Sequence, residues 1–117
     1  MKLLIVDDST VVRRMIERHI KDFAKADIRT AANGEDAVKV FQEFRPDYVT
    51  MDITMPFMDG LTCLDRITKI APARILIISA LKDKETALEA LTRGADAFLC
   101  KPFNVAEFEA AFKELME

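Results

Sequence analysis

Short apolar runs alternate with amphipathic stretches along the whole chain. Leu3 to Val6, Ile28 to Ala31, Tyr48 to Met51, Ile75 to Ile78 and Ala97 to Cys100 predict five strands. Several of them are apolar throughout, as strands covered on both faces are. Between them the period changes. Val12, Ile16, Ile20 and Phe23 recur every three or four residues, and so do Val38, Phe41 and Phe44. Leu61, Leu64 and Ile67 make a third stripe, Leu88 and Leu91 a fourth, and Val105, Phe108, Phe112 and Leu115 a fifth. Each stripe predicts a helix with one buried face. The boundaries carry turn and cap chemistry: Asn33-Gly34, Asp59-Gly60, Gly94, and Asn104 with Glu107 as a capping pair. Lys82 to Glu85 reads as a solvated helix start with Asp83 near the cap.

Strands alternating with helices predict an α/β fold, a parallel sheet with right-handed crossovers and helices on both faces. In such sheets the site lies beyond the carboxyl ends of the strands, near a topological switch point. The polar residues that end strands are therefore the informative ones. Strand one ends in Asp7-Asp8, strand three in Asp52, strand four in Ser79 and strand five in Lys101-Pro102. All fall on one rim.

Composition narrows the function classes. At 117 residues the chain fits a single domain spanning residues 1–117, with no repeat, linker or low-complexity stretch. A net charge of −3 does not suggest a basic face for nucleic acid, although a local patch could hide in the total. No apolar run is long enough to span a bilayer, and the chain enters a strand at once without a signal-peptide pattern. Cys63 and Cys100 have no metal-ligand or redox spacing. They read as reduced, buried thiols of a cytoplasmic protein.

If strands one and three are neighbours, Asp7, Asp8 and Asp52 converge. Two unit charges about 4 Å apart repel by roughly 4 kcal/mol at an effective dielectric near 20. A proton or a cation must relieve that. Oxygen ligands in an open site suit Mg²⁺ better than calcium. A carboxylate beside such a metal, with a lysine and a hydroxyl opposite, makes a site for a phosphoryl group, and carboxylates accept phosphoryl groups as acyl phosphates.

The stretches LLIVDDS, DYVTMDITMPFMDG, ILIISA and FLCKPF together resemble the response-regulator receiver domains of two-component signalling. The resemblance covers essentially the whole chain, and within the family it points to the stand-alone kind related to the chemotaxis regulator. It implies a flavodoxin-like sheet of order 2-1-3-4-5. It also implies a role for each rim residue. Asp52 is the expected phosphoacceptor, with Asp7, Asp8 and the carbonyl of Thr54 sharing the Mg²⁺ shell. Ser79 bonds a phosphoryl oxygen, Lys101 pairs with it, and Pro102 follows a cis peptide. Ser79 and Phe98 form the switch, the small Ala80 leaves the phosphoryl group accessible, and Thr54 and Leu81 tune its lifetime. The expected donor is a histidine kinase. The expected output is a protein partner binding helix four, strand five and helix five, from about Asp83 to Glu117; no output domain follows Glu117, so the signal leaves through a protein contact or the sequence is a trimmed fragment.

Other readings fit less of the pattern. Asp7-Asp8 alone could be cap chemistry ahead of Ser9. Phe98 could be plain core, and His19, between Ile16 and Phe23, is expected to be packed or half-exposed rather than a phosphodonor. Aspartate-nucleophile phosphatases need two acids one residue apart on strand one, whereas Ser9 stands two after Asp7, and no acid follows Lys101 before Glu107. A flavin or nucleotide binder wants a glycine- or hydroxyl-rich loop after strand one, and the three glycines lie elsewhere. The remaining rival is a non-phosphorylated pseudo-receiver used as a binding module.

Overall fold

The computed structural model describes residues 1–81 and 83–117, apart from the side chain of Phe23. Phe23 on the first stripe and Lys82 in the fourth helix start therefore lie outside the described groups. Strands and helices alternate as β1 (Lys2–Val6), α1 (Thr10–Phe23), β2 (Asp27–Ala31), α2 (Gly34–Phe44), β3 (Tyr48–Met51), α3 (Gly60–Thr68), β4 (Arg74–Ser79), α4 (Lys84–Thr92), β5 (Ala97–Cys100) and α5 (Val105–Met116). The sheet is parallel, in the order β2-β1-β3-β4-β5. The chain reverses direction across the sheet between β1 and β3, so the switch point falls where Asp7, Asp8 and Asp52 emerge.

Alternation along the central strands divides the core in two. Leu4, Val6, Val49, Met51, Ile75 and Ile77 pack under α2 and α3, against Phe41, Leu64 and Ile67. Leu3, Ile5, Leu76 and Ile78 face Ile16 and Ile20 of α1 and Phe108, Phe112 and Leu115 of α5. With both faces covered, the central strands are apolar along their length apart from Thr50, and their polar groups gather at their ends. Caps fix where helices begin. Asn33, Asp59 and Asp83 each accept a backbone N–H three residues on, and Asn104 with Glu107 forms the full capping box.

Three expectations need correction. Leu88 and Leu91 do not form the buried stripe of α4; they are 63% and 43% exposed. Ala90 is the buried residue, with Thr86, Ala87 and Arg93 half-buried beside it. Ala90 is the α4 side chain that enters the core cluster, and with that face inward both leucines turn outward. Val105 is likewise exposed, so the α5 stripe begins at Phe108. Cys63 is buried, but Cys100 is only half-buried, because β5 is an edge strand.

Candidate functional site

Parallel pairing continues past the strand ends and sets the depth of each rim residue. The Asp7 N–H donates to the Ala31 carbonyl at 3.1 Å, Asp52 N–H to Val6 at 3.0 Å, and Lys101 N–H to Ser79 at 2.8 Å. These bonds hold backbone that has just left the sheet, so the side chains of Asp7, Asp52 and Lys101 start from fixed points. The carboxylate oxygens of Asp7, Asp8 and Asp52 come within 4.8 Å of one another. Asp7 and Asp52 are buried, and Asp8 is exposed.

Lys101 closes the cluster. Its Nζ donates to Asp7 Oδ2 at 2.8 Å and lies 3.5 Å from Asp52 Oδ2. Burial pushes the Asp52 carboxyl above its ordinary range; Lys101 pulls it down, and Asp7 and then Asp8 push it further up. For Lys101 burial works against the charge. The bond to Asp7 and the attraction of Asp52 and Asp7 outweigh it, and the ammonium is held above its usual value. Asp52 is thus a carboxylate at 6% exposure whose ionisation is resisted by two neighbouring acids and by its own burial. A hard cation at the acids would remove that resistance, and the donor set, oxygens on a rim open on the Asp8 side, fits magnesium.

Asp7 is pinned at every polar atom. Its Oδ1 accepts from the Ser9 N–H at 2.9 Å, and its carbonyl accepts from Arg13 Nη1 at 2.6 Å. Ser9, not an aspartate, is the α1 N-cap, accepting from Val12 N–H. Arg13 escaped the sequence reading. The signal was present: a cation near the N-terminus of a helix opposes the macrodipole, and α1 carries no acid in its first turn.

Ser79 is buried at the end of β4, where its hydroxyl accepts from the Leu81 N–H at 3.1 Å. Phe98 is half-buried and packs against the α2–α3 side of the core. Ala80 is exposed beside Ser79. The Lys101–Pro102 peptide is cis. Thr54 lies in the β3–α3 loop, lining an open cavity of about 390 Å³ with Asp59, Thr62 and Arg93. Gly60 holds that loop down. Its N–H donates to the Ile53 carbonyl at 2.7 Å, and a Cβ there would lie 2.1 Å from the Asp52 carbonyl oxygen. His19 stays away from the rim, tilted 5.9 Å from the Phe108 ring. Cys63 is inert, its thiol pushed up to about 12 by burial.

The comparisons with known proteins bear on the same region. The family model described as "Response regulator receiver domain" matches residues 3–113. The chain is 43% identical over 105 residues to the chemotaxis protein CheY of Listeria monocytogenes, covering 89% of this chain and 88% of that one. It is also 43% identical over 104 residues to a protein-glutamate methylesterase/protein-glutamine glutaminase of Vibrio cholerae, covering 87% of this chain but 29% of that longer protein. Among solved structures, the CheX-CheY-BeF3-Mg complex from Borrelia burgdorferi superposes with a TM-score of 0.94 at 34% identity, covering all of this chain and 90% of that one. The sheet order, the acids at its switch point and a match along nearly the full length agree, and the chain belongs to the response-regulator receiver domains of two-component signalling.

Proposed function

We propose that Asp52 accepts a phosphoryl group from a histidine kinase, and that residues 1–117 act as one cytoplasmic receiver unit whose phosphorylation is read by a protein partner. The observation that carries this reading is the position of Asp52, buried at a strand end between two acids and Lys101. An Asp52 oxygen bonds to phosphorus as the donor's P–N bond breaks, and the imidazole leaves with the bonding pair. Asp7, Asp8, Asp52 and the Thr54 carbonyl are the groups that would hold magnesium, which supplies positive charge to the phosphoryl oxygens when bound. Lys101, now bonded to Asp7, would shift to a phosphoryl oxygen, and the Ser79 hydroxyl, whose oxygen accepts from Leu81 and which donates to no acceptor among the described residues, would donate to another. The unit is a phosphoacceptor that assists its own chemistry, not an enzyme with a separate substrate.

Output passes through α4, β5 and α5. Leu88, Leu91 and Val105 leave apolar side chains exposed there. A negative phosphoryl group favours whichever arrangement brings Ser79 toward it, and Phe98 is the aromatic neighbour that follows. The test is incubation with acetyl phosphate and magnesium, followed by intact-mass analysis. One added phosphoryl group is expected, dependent on the metal and absent from Asp52→Asn. Equal labelling of Asp52→Asn refutes the assignment, and no labelling of the wild type would favour a pseudo-receiver that binds without being phosphorylated.

A further inference from the structure

We infer that Arg13 is a positioning residue for the cation site: it fixes the peptide plane that joins the two acids at the end of β1. The carbonyl it grips belongs to the Asp7–Asp8 peptide, so the direction of that carbonyl sets the direction in which Asp8 leaves the strand. Arg13 Nη1 reaches the carbonyl at 2.6 Å, while Nη2 reaches Thr10 Oγ1 at 3.1 Å. The fork is therefore anchored to α1 at one tine and to the strand end at the other. A guanidinium does this better than an ammonium, because its donors are held in one plane at fixed separation. Asp7 is otherwise fixed through Ala31, Ser9 and Lys101. Asp8 is exposed, and its placement depends on the peptide behind it.

Position in the helix argues against a purely local role. Arg13 is half-buried near the N-terminus of α1, where the helix dipole disfavours a cation. It also adds positive charge near a site that must attract a divalent cation. Both effects oppose an arginine there, so its benefit is geometric. Groups that orient metal ligands without touching the ion change affinity by about 10- to 100-fold when removed. The lower end is expected here, because the other acids stay fixed.

This inference rests on the proposed magnesium site, and its test separates the two. Magnesium is titrated calorimetrically into the full chain, wild type, Arg13→Met and Arg13→Lys, and each is melted in chelator and in saturating magnesium. We expect magnesium affinity to fall about tenfold in Arg13→Met and by a similar factor in Arg13→Lys, which keeps the charge and loses the fork. Acetyl-phosphate labelling should slow at low magnesium and recover toward the wild-type rate at saturation. A tighter Arg13→Met with an unchanged Arg13→Lys would make Arg13 only a repelling charge and overturn the inference. So would variants that melt lower in chelator yet bind magnesium as the wild type does, since that is the signature of a merely structural arginine. A wild type that binds no magnesium would bring down the metal site itself, and this inference with it.

Discussion

Neutralising Asp52 should make the magnesium-free protein more stable. Asp7 and Asp8 place carboxylate oxygens within 4.8 Å of Asp52, and Lys101 Nζ stands at 3.5 Å. At an effective dielectric near 20, each acid repels Asp52 by about 3.5 kcal/mol and Lys101 attracts it by about 5 kcal/mol. Lys101 thus offsets one acid and part of the second. Solvent around Asp8 screens the remainder, and a net cost of about 1 to 2 kcal/mol is left. Asp52→Asn keeps the shape and removes that cost. With an unfolding entropy of about 2.1 cal/mol/K per residue, the melting temperature should rise by about 4 to 8 °C in chelator at neutral pH. The sign of the pH dependence follows from the raised Asp52 pKa. Below the ordinary carboxylate value of 3.8 the group is neutral folded and unfolded, and there is no penalty. As pH rises, the unfolded chain loses its proton first, the folded chain holds more protons, and stability falls until the raised pKa is passed. The gain of Asp52→Asn should therefore be full above the raised pKa and fade in acid. Magnesium should raise the melting temperature of the wild type more than that of the variant. Thermal denaturation followed by circular dichroism measures all three. A variant that melts at or below the wild type in chelator, or a gain undiminished below pH 3.8, would refute the electrostatic reasoning.

Other perturbations test separate parts of the fold. Thr50 is buried in β3 with no hydrogen-bond partner for its hydroxyl among the described residues, so Thr50→Val should stabilise by about 1 kcal/mol; a lower melting temperature would show that the hydroxyl is satisfied. Gly60→Ala drives a Cβ into the Asp52 and Ile53 backbone and should cost about 1 to 3 kcal/mol, with slower acetyl-phosphate labelling; a variant that labels normally would mean the loop yields freely. Arg93 links α4 to Asp65 of α3 at 3.1 Å, and Arg93→Met should speed amide exchange in α4 while changing global stability by less than about 1 kcal/mol. Exchange rates equal to wild type across α4 would deny the link any role. Ser79→Ala should still take up phosphate at Asp52 yet lose most of the chemical-shift change at α4 and β5 that a stable phosphate mimic produces in the wild type. Changes confined to α1 and α2 would point to another output face.

The central strands and the rim were legible because their signals are local and unambiguous. A parallel strand covered on both faces must be apolar, so an acid, a hydroxyl or a lysine at its end stands out, and alternation of strands with helices already places those ends on one rim. What escaped depends on distances that sequence spacing does not carry. Arg13 is separated from Asp7 by a cap and a helical turn, and only the fold shows that its fork reaches back to the Asp7 carbonyl. The α4 stripe failed for a related reason. Leu88 and Leu91 are three apart and read as a buried pair, but Ala90 takes the buried position. Hydrophobicity alone ranks leucine above alanine for the core, whereas close packing against the sheet selects the smaller side chain. Little apolar burial, together with the Arg93–Asp65 pair, then holds the helix, and such an element opens at lower cost than the core around it. Ala90 at the contact is thus consistent with the output role proposed for α4, since it leaves the helix little apolar burial and both leucines exposed on the surface.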